Sequence, residues 1–182
     1  MLAMEERMTR RPPTSVQYRE VIGHFASGVT VVTTAVGERS FGTTANAVTS
    51  VSAEPPMLLV CLNRDSETGK AIDQSGYFVV NILTEDQEHL AGHFATKDAG
   101  KFDVAPFGHE EPPKLRSHER PLLEDALAHI ECQVTERVTS ATHIIFIGLV
   151  EVAEAGEGSP LAYYRGSFGR LEVIPKERGR HG

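Results

Sequence analysis

The sequence predicts a mainly β protein, a β-barrel with two or three peripheral α-helices. Three observations predict it. Short runs rich in Val, Ile and Thr recur along the chain, among them VTVVTTAV, MLLVCL, YFVVNIL and HIIFIGLVEV, the composition that a pleated surface accepts. Clusters of Gly, Pro, Asn and Asp separate these runs. Only a few stretches carry capping signals or helical spacing. Short strands broken by turns, with few helices, read as a barrel rather than an alternating α/β sheet.

Residues 1–13 are polar and end in Arg10-Arg11-Pro12-Pro13, so a flexible N-terminal tail is expected. A single domain should then occupy residues 14–175. Thr14 and Gln17 stand in capping-box spacing, and Tyr18, Val21, Ile22 and Phe25 share one apolar helical face, so a helix is expected that ends at Gly28. Val29–Val36 reads as a strand. Gly37-Glu38-Arg39 should turn the chain back into Ser40–Val51 as its antiparallel neighbour. Met57–Leu62 is continuously apolar and reads as a buried strand. A short helix over Ser66–Gln74, closed by Ser75-Gly76, leads to a strand over Tyr77–Leu83. Thr84 and Gln87 repeat the capping-box spacing ahead of a helix over Glu85–Ala95, with Leu90 and Phe94 as its buried side.

Residues 96–118 should form a long loop, which in a compact domain is commonly functional or disordered. Ala126–Val138 alternates as a half-buried strand, and His143–Val152 reads as a more fully buried one. A turn at Gly156–Pro160 precedes Leu161-Ala162-Tyr163-Tyr164 and then Arg165–Gly169. Residues 176–182 should be a second flexible tail.

Composition excludes several function classes. The chain has 182 residues, 18 basic against 25 acidic, for a net charge of −7. Nothing forms a basic stripe, so nucleic acid is not an expected partner. The apolar runs are too short to span a bilayer as helices, and residues 1–15 lack the apolar segment of a secretory signal. Cys61 and Cys132, the two cysteines, sit in apolar strands far apart, as reduced thiols of a cytoplasmic protein would. His89 and His93 have metal-ligand spacing but neither an intervening HExxH glutamate nor an evident third ligand, so no metal is expected. GxGxxG, Walker, GxSxG and paired-cysteine redox motifs are all missing.

Chemistry concentrates in residues 42–68, GTTANAVTSVSAEPPMLLVCLNRDSET. The first half is dense in small hydroxyl and amide side chains. The second is a strand that ends in Asn63-Arg64-Asp65-Ser66-Glu67-Thr68 just before a helix. Hydroxyls, an Arg and the free N–H groups of a helix N-terminus together suit a phosphate. Ser66 could equally do no more than cap the helix.

The segment GTTANAVTSVSAEPPMLLVCLNRDS, with HFASGVTVVTT (residues 24–34) and Tyr163-Tyr164-Arg165-Gly166, resembles the flavin reductase family of the split β-barrel, FMN-binding-like fold, a Greek-key barrel. Its members are NAD(P)H:flavin oxidoreductases that supply reduced flavin to two-component monooxygenases. The resemblance implies FMN or FAD together with NADH or NADPH, a homodimer, and a separate monooxygenase that receives reduced flavin by diffusion. It places Thr44, Ala45, Asn46, Ala47, Val48, Thr49 and Ser50 along the isoalloxazine and ribityl chain. It also sets Cys61, Leu62, Asn63 and Arg64 on the ribityl–phosphate side, Ser66 and Thr68 at the phosphate, and Phe102, in a Lys101-Phe102 element, near the flavin.

For the nicotinamide the resemblance singles out His143. The family's Gly-Asp-His element is here Ala141-Thr142-His143, which keeps the His and loses the carboxylate that would orient it. From position alone, a strand-initial His is as readily a polar surface residue. Tyr164, Arg165 and Phe168 are candidate closing groups over the nicotinamide–adenine end, although the tyrosines could instead pack a dimer interface. Two other readings stand beside the reductase. One is an FMN-holding electron carrier without nicotinamide turnover. The other is an oxidase of phosphorylated pyridoxine-like amines, which would call for a more basic phosphate cluster.

Overall fold

The computed structural model describes residues 11–174. Residues 1–10 and the expected tail 176–182 lie outside the described residues. In chain order the elements are α1 (Ser15–Ile22), β1 (Ser27–Gly28), β2 (Thr30–Val36), β3 (Arg39–Ala45), β4 (Val48–Ala53) and β5 (Pro56–Asn63). Then follow α2 (Glu67–Ser75), β6 (Tyr77–Ile82), α3 (Glu88–Ala95), β7 (Leu115–Ser117), β8 (Leu122–Leu123) and β9 (Ala128–Ser140). The chain finishes with β10 (His143–Ala155), β11 (Leu161–Tyr164) and β12 (Ser167–Arg170).

Seven strands form one antiparallel sheet in the order β3-β2-β6-β9-β10-β5-β4. β3 and β4 lie at opposite edges, yet only Asn46 and Ala47 separate them in sequence. Three Cα steps reach roughly 10 Å, so the sheet must curl until its two edges nearly meet. The result is a barrel that is closed except for a seam at Asn46-Ala47. The β4–β5 ladder reaches into the link, where Cys61 N–H donates to Ala47 O at 2.9 Å. A smaller sheet, β1-β11-β12, packs beside the barrel, and β7 and β8 form a separate hairpin.

The seam corrects the expectation of one continuous strand over Ser40–Val51. β3 pairs with β2 from Val36↔Arg39 to Thr30↔Ala45, whereas β4 pairs with β5, beginning at Val48↔Val60. The run is made of small, weakly alternating residues, so its pattern carries no mark of where the chain changes partner.

β2 is buried on both faces. Val32 joins Leu58, Val60, Leu62, Ile72, Phe78, Val80, Cys132 and Phe146 in one apolar cluster. Its neighbour Val31 points the other way, into a second cluster with Val29, Leu83, Leu90, Phe94, Leu123 and Leu161. Between them Asn81 donates to Val31 O and Thr33 Oγ1 and accepts from Leu123 N–H, so the buried amide is satisfied. Gly148 is required here: a Cβ on it would lie 2.7 Å from Cys132 Cβ and 2.9 Å from the Phe78 ring.

The helices depart from expectation in informative ways. The Thr14–Gln17 capping box of α1 forms, but the helix ends at Ile22, and Gly28 belongs to β1 instead. None of its residues is buried; Val21 is 72% exposed and Phe25, just past its end, 76%. α2 is capped by Ser66 and closed by Gly76 at φ +75°, a conformation glycine adopts without penalty. At α3, Gln87 Oε1 does accept from Thr84 N–H, yet the helix begins only at Glu88 and has no side-chain cap. Residues 84–86 are drawn instead toward the chain before β11, where Thr84 bridges Pro160 and Glu85 N–H donates to Ser159 O. β10 is buried only around Phe146 and Gly148, and its far half, expected to be enclosed, is exposed.

Candidate functional site

Two hollows bear on function: one reaches the seam at Asn46-Ala47, and the other lies between β3, the end of β5 and the start of α2. One, of about 1450 Å³, is walled by Asn46–Ser50, Cys61 and His143 on the barrel side and by Tyr18, Ile22, Phe25, Ser27, Tyr163 and Arg165 opposite. The other, of about 680 Å³, lies between Gly42, Thr43, Asn63, Ser66 and Thr68 on one side and Lys101 and Phe102 on the other. Edge strand β4 has a barrel neighbour on one side only, so a row of its backbone groups is left for a ligand or another chain.

The second hollow has anion-binding groups at the α2 N-terminus, amid charges of both signs: Arg39, Lys97 and Lys101 with Asp65, Glu67 and Asp98. Ser66 Oγ accepts from Gly69 N–H at 3.0 Å, so the cap and the site are not alternatives: the hydroxyl proton stays free to donate. Thr68 lies in the first turn of α2, and the helix N-terminus adds its own N–H groups. Lys101 Nζ donates to Phe94 O at 2.9 Å and Gly42 O at 3.3 Å. That leaves one of its three donors, and burial holds its pKa below the usual lysine value. Phe102 packs edge-on to Phe94 with centroids 5.1 Å apart. A Cβ on Gly42 would come within 2.7 Å of Phe94 and 3.1 Å of Phe102, so the glycine sets how closely this loop approaches β3.

The first hollow is more apolar and suits a flat ring. Small side chains at Ala47, Thr49 and Ser50 let a planar edge approach the backbone. Ser27 Oγ is buried here without a hydrogen-bond partner, an unfilled polar position in the wall that residue order alone did not reveal. Cys61 is half-buried, and desolvation raises its pKa. His143 stands exposed at the rim, with its Nδ1 2.9 Å from Thr142 Oγ1.

The structure gathers some predicted residues and separates others. Asn46, Ala47, Val48, Thr49, Ser50, Cys61, His143 and Arg165 share the larger hollow, and Asn63, Ser66, Thr68 and Phe102 share the smaller. Thr44 and Ala45 lie on β3, where Thr44 Oγ1 is committed to Ala91 O at 2.7 Å and Ala45 is buried. Leu62 points into the apolar core. The Arg64 guanidinium turns to the β9–β10 hairpin and donates to Ala141 O. Phe168 packs on Tyr163 and lines a different hollow, shared with His89, His93 and Lys101. Tyr164 meets His24 edge-on at 6.1 Å. Among the described residues no three His, Cys, Asp or Glu side chains converge to hold a metal ion. His93 Nε2 bonds Lys101 O, and His89 stacks on His109 at 3.9 Å.

The architecture is thus a curled antiparallel barrel with one hollow at a helix N-terminus and a larger, more apolar one at its seam. Residues 22–172 match the family described as the flavin reductase like domain, and the chain belongs to that family. A relative from Rhodococcus opacus is 46% identical over 162 residues, covering 88% of this chain and 83% of its own; it is the reductase component of 4-nitrophenol 4-monooxygenase/4-nitrocatechol 2-monooxygenase. An NADH-dependent flavin reductase from a Rhodococcus species is 37% identical over 90% of each chain. Among solved structures, a Streptomyces globisporus NADH:FAD oxidoreductase in complex with NAD and FAD fragments superposes with a TM-score of 0.79 at 34% identity. It covers 89% of this chain and 95% of its own.

Proposed function

We propose that this chain is the reductase component of a two-component monooxygenase, oxidising NADH or NADPH and reducing FMN or FAD that then leaves for a separate oxygenase. The observation that carries this reading is the pair of hollows, one with hydroxyls and a helix N-terminus suited to a phosphate, the other, at Asn46–Ser50, more apolar and suited to a ring. The nicotinamide and flavin supply the hydride chemistry when both are bound. The chain's part is placement: Ser66, Thr68 and the α2 N-terminus hold the phosphate, with Lys101 and Phe102 closing that end. Asn46–Ser50 and Cys61 line the ring, and backbone donors there favour the charge that reduction brings. His143 and Arg165 meet the nicotinamide from the rim.

We also place the protein in the cytoplasm, where its two thiols stay reduced, and as a homodimer. The exposed apolar face of α1 and the free edge of β4 are the surfaces a second copy would cover. The test is NADH oxidation by purified protein with no flavin, with FMN and with FAD. Turnover that requires added flavin and saturates in it is the expected result. A yellow protein that keeps its flavin through gel filtration and does not turn over NADH would favour an electron carrier instead.

A further inference from the structure

His143 opens β10 at the mouth of the larger hollow, paired with Asn63 on one side and Ser140 on the other. An exposed imidazole on a rim would ordinarily sample several orientations and both neutral tautomers. This one is held. Thr142 Oγ1 lies 2.9 Å from its Nδ1, and the two-residue loop that carries Thr142 is itself braced from the end of β5. Arg64 N–H donates to Thr142 O at 3.1 Å, and Arg64 Nη1 donates to Ala141 O at 3.3 Å. Backbone, loop and ring are thus tied in sequence to the strand that lines the hollow.

We infer that Thr142 is the positioning residue of His143. Its hydroxyl donates to Nδ1, which keeps the ring proton on Nε2 and presents a single N–H donor at the mouth of the hollow. A hydroxyl does this without placing a charge beside the ligand, as a carboxylate at the same position would. The ligand group that matches one neutral N–H donor is a carbonyl oxygen such as that of the nicotinamide carboxamide. The inference rests on the reading of His143 as a nicotinamide contact, and Thr142 acts through His143 without touching substrate.

Two measurements test it. Ring-nitrogen NMR shifts of His143, recorded on the ligand-free protein at a pH where the ring is neutral, should show Nε2 protonated and Nδ1 accepting. In Thr142→Val the two shifts should move toward a tautomer average, and Thr142→Ser should restore them. In steady-state assays Thr142→Val should raise KM for NADH about two- to tenfold, the worth of one ordinary hydrogen bond, with kcat and the flavin KM unchanged and with rescue by Thr142→Ser. Unchanged shifts and unchanged NADH KM in Thr142→Val, while His143→Ala raises that KM, would overturn the role of Thr142. Should His143→Ala itself leave KM for NADH unchanged, the nicotinamide reading falls instead, and the NMR arm still decides whether Thr142 holds the ring.

Discussion

Single residues set the close fits around the seam. Gly42 lies where any Cβ would strike the Phe94 ring at 2.7 Å. Gly42→Ala should therefore cost about 1–3 kcal/mol by overpacking and raise the flavin KM, since Phe102 and Lys101 approach β3 at this point; denaturant melts and flavin titration would read both. Ala141 has the opposite problem, a φ of +48° in a two-residue hairpin loop. A β-carbon is strained there, so Ala141→Gly should raise stability by about 0.5–1 kcal/mol after the entropy cost of glycine is deducted. An unshifted or lowered melting temperature would count against that strain. The cysteines differ in access. Cys132 is fully buried, its thiol pushed up to about 12 by desolvation, whereas Cys61 lines the larger hollow. A thiol reagent should label the native protein at Cys61 alone, slowly at neutral pH, and added flavin should slow it further.

At the scale of elements, α2 unites folding and binding. Ser66 caps the helix through Gly69 N–H, and the same helix end forms one wall of the smaller hollow. Ser66→Ala should cost about 1 kcal/mol of stability and raise KM for FMN, but leave turnover with riboflavin, which has no phosphate, near its original value. Equal losses with both flavins would remove the phosphate from this site. α1 shows how an element can form locally without a partner. Its capping box is complete, yet Tyr18, Val21 and Ile22 on its apolar side, with Phe25 just beyond its end, are exposed. Local hydrogen bonds decide that the helix begins; tertiary packing decides whether its apolar face is covered.

For the whole molecule, that uncovered face and the free edge of β4 predict self-association. Val21→Asp with Phe25→Asp should shift the protein from dimer to monomer in sedimentation velocity while leaving the barrel's β circular dichroism intact. A wild-type chain that sediments as a monomer would leave the face without the partner proposed. The barrel seam and the ring hollow are one feature at this scale, because closing a seven-stranded sheet through a two-residue link leaves unpaired edges beside a cavity.

The sequence by itself determined most of the longer strands, the α2 cap and the Gly76 stop. Each of these is a local property: alternation, a hydroxyl three residues before an N–H, a residue without a Cβ. Resemblance named the chemistry, and most of the residues it named line one of the two hollows. Tertiary structure alone decided the rest. It broke Ser40–Val51 at Asn46-Ala47, because strand partners are chosen by long-range pairing that small residues do not record. It turned Arg64 to Ala141 O and Phe168 toward Tyr163, and buried Leu62 in the core, because a side chain's direction depends on register and curvature. It also set Thr142 against His143, a contact that neighbouring positions permit but only the bend of the hairpin makes.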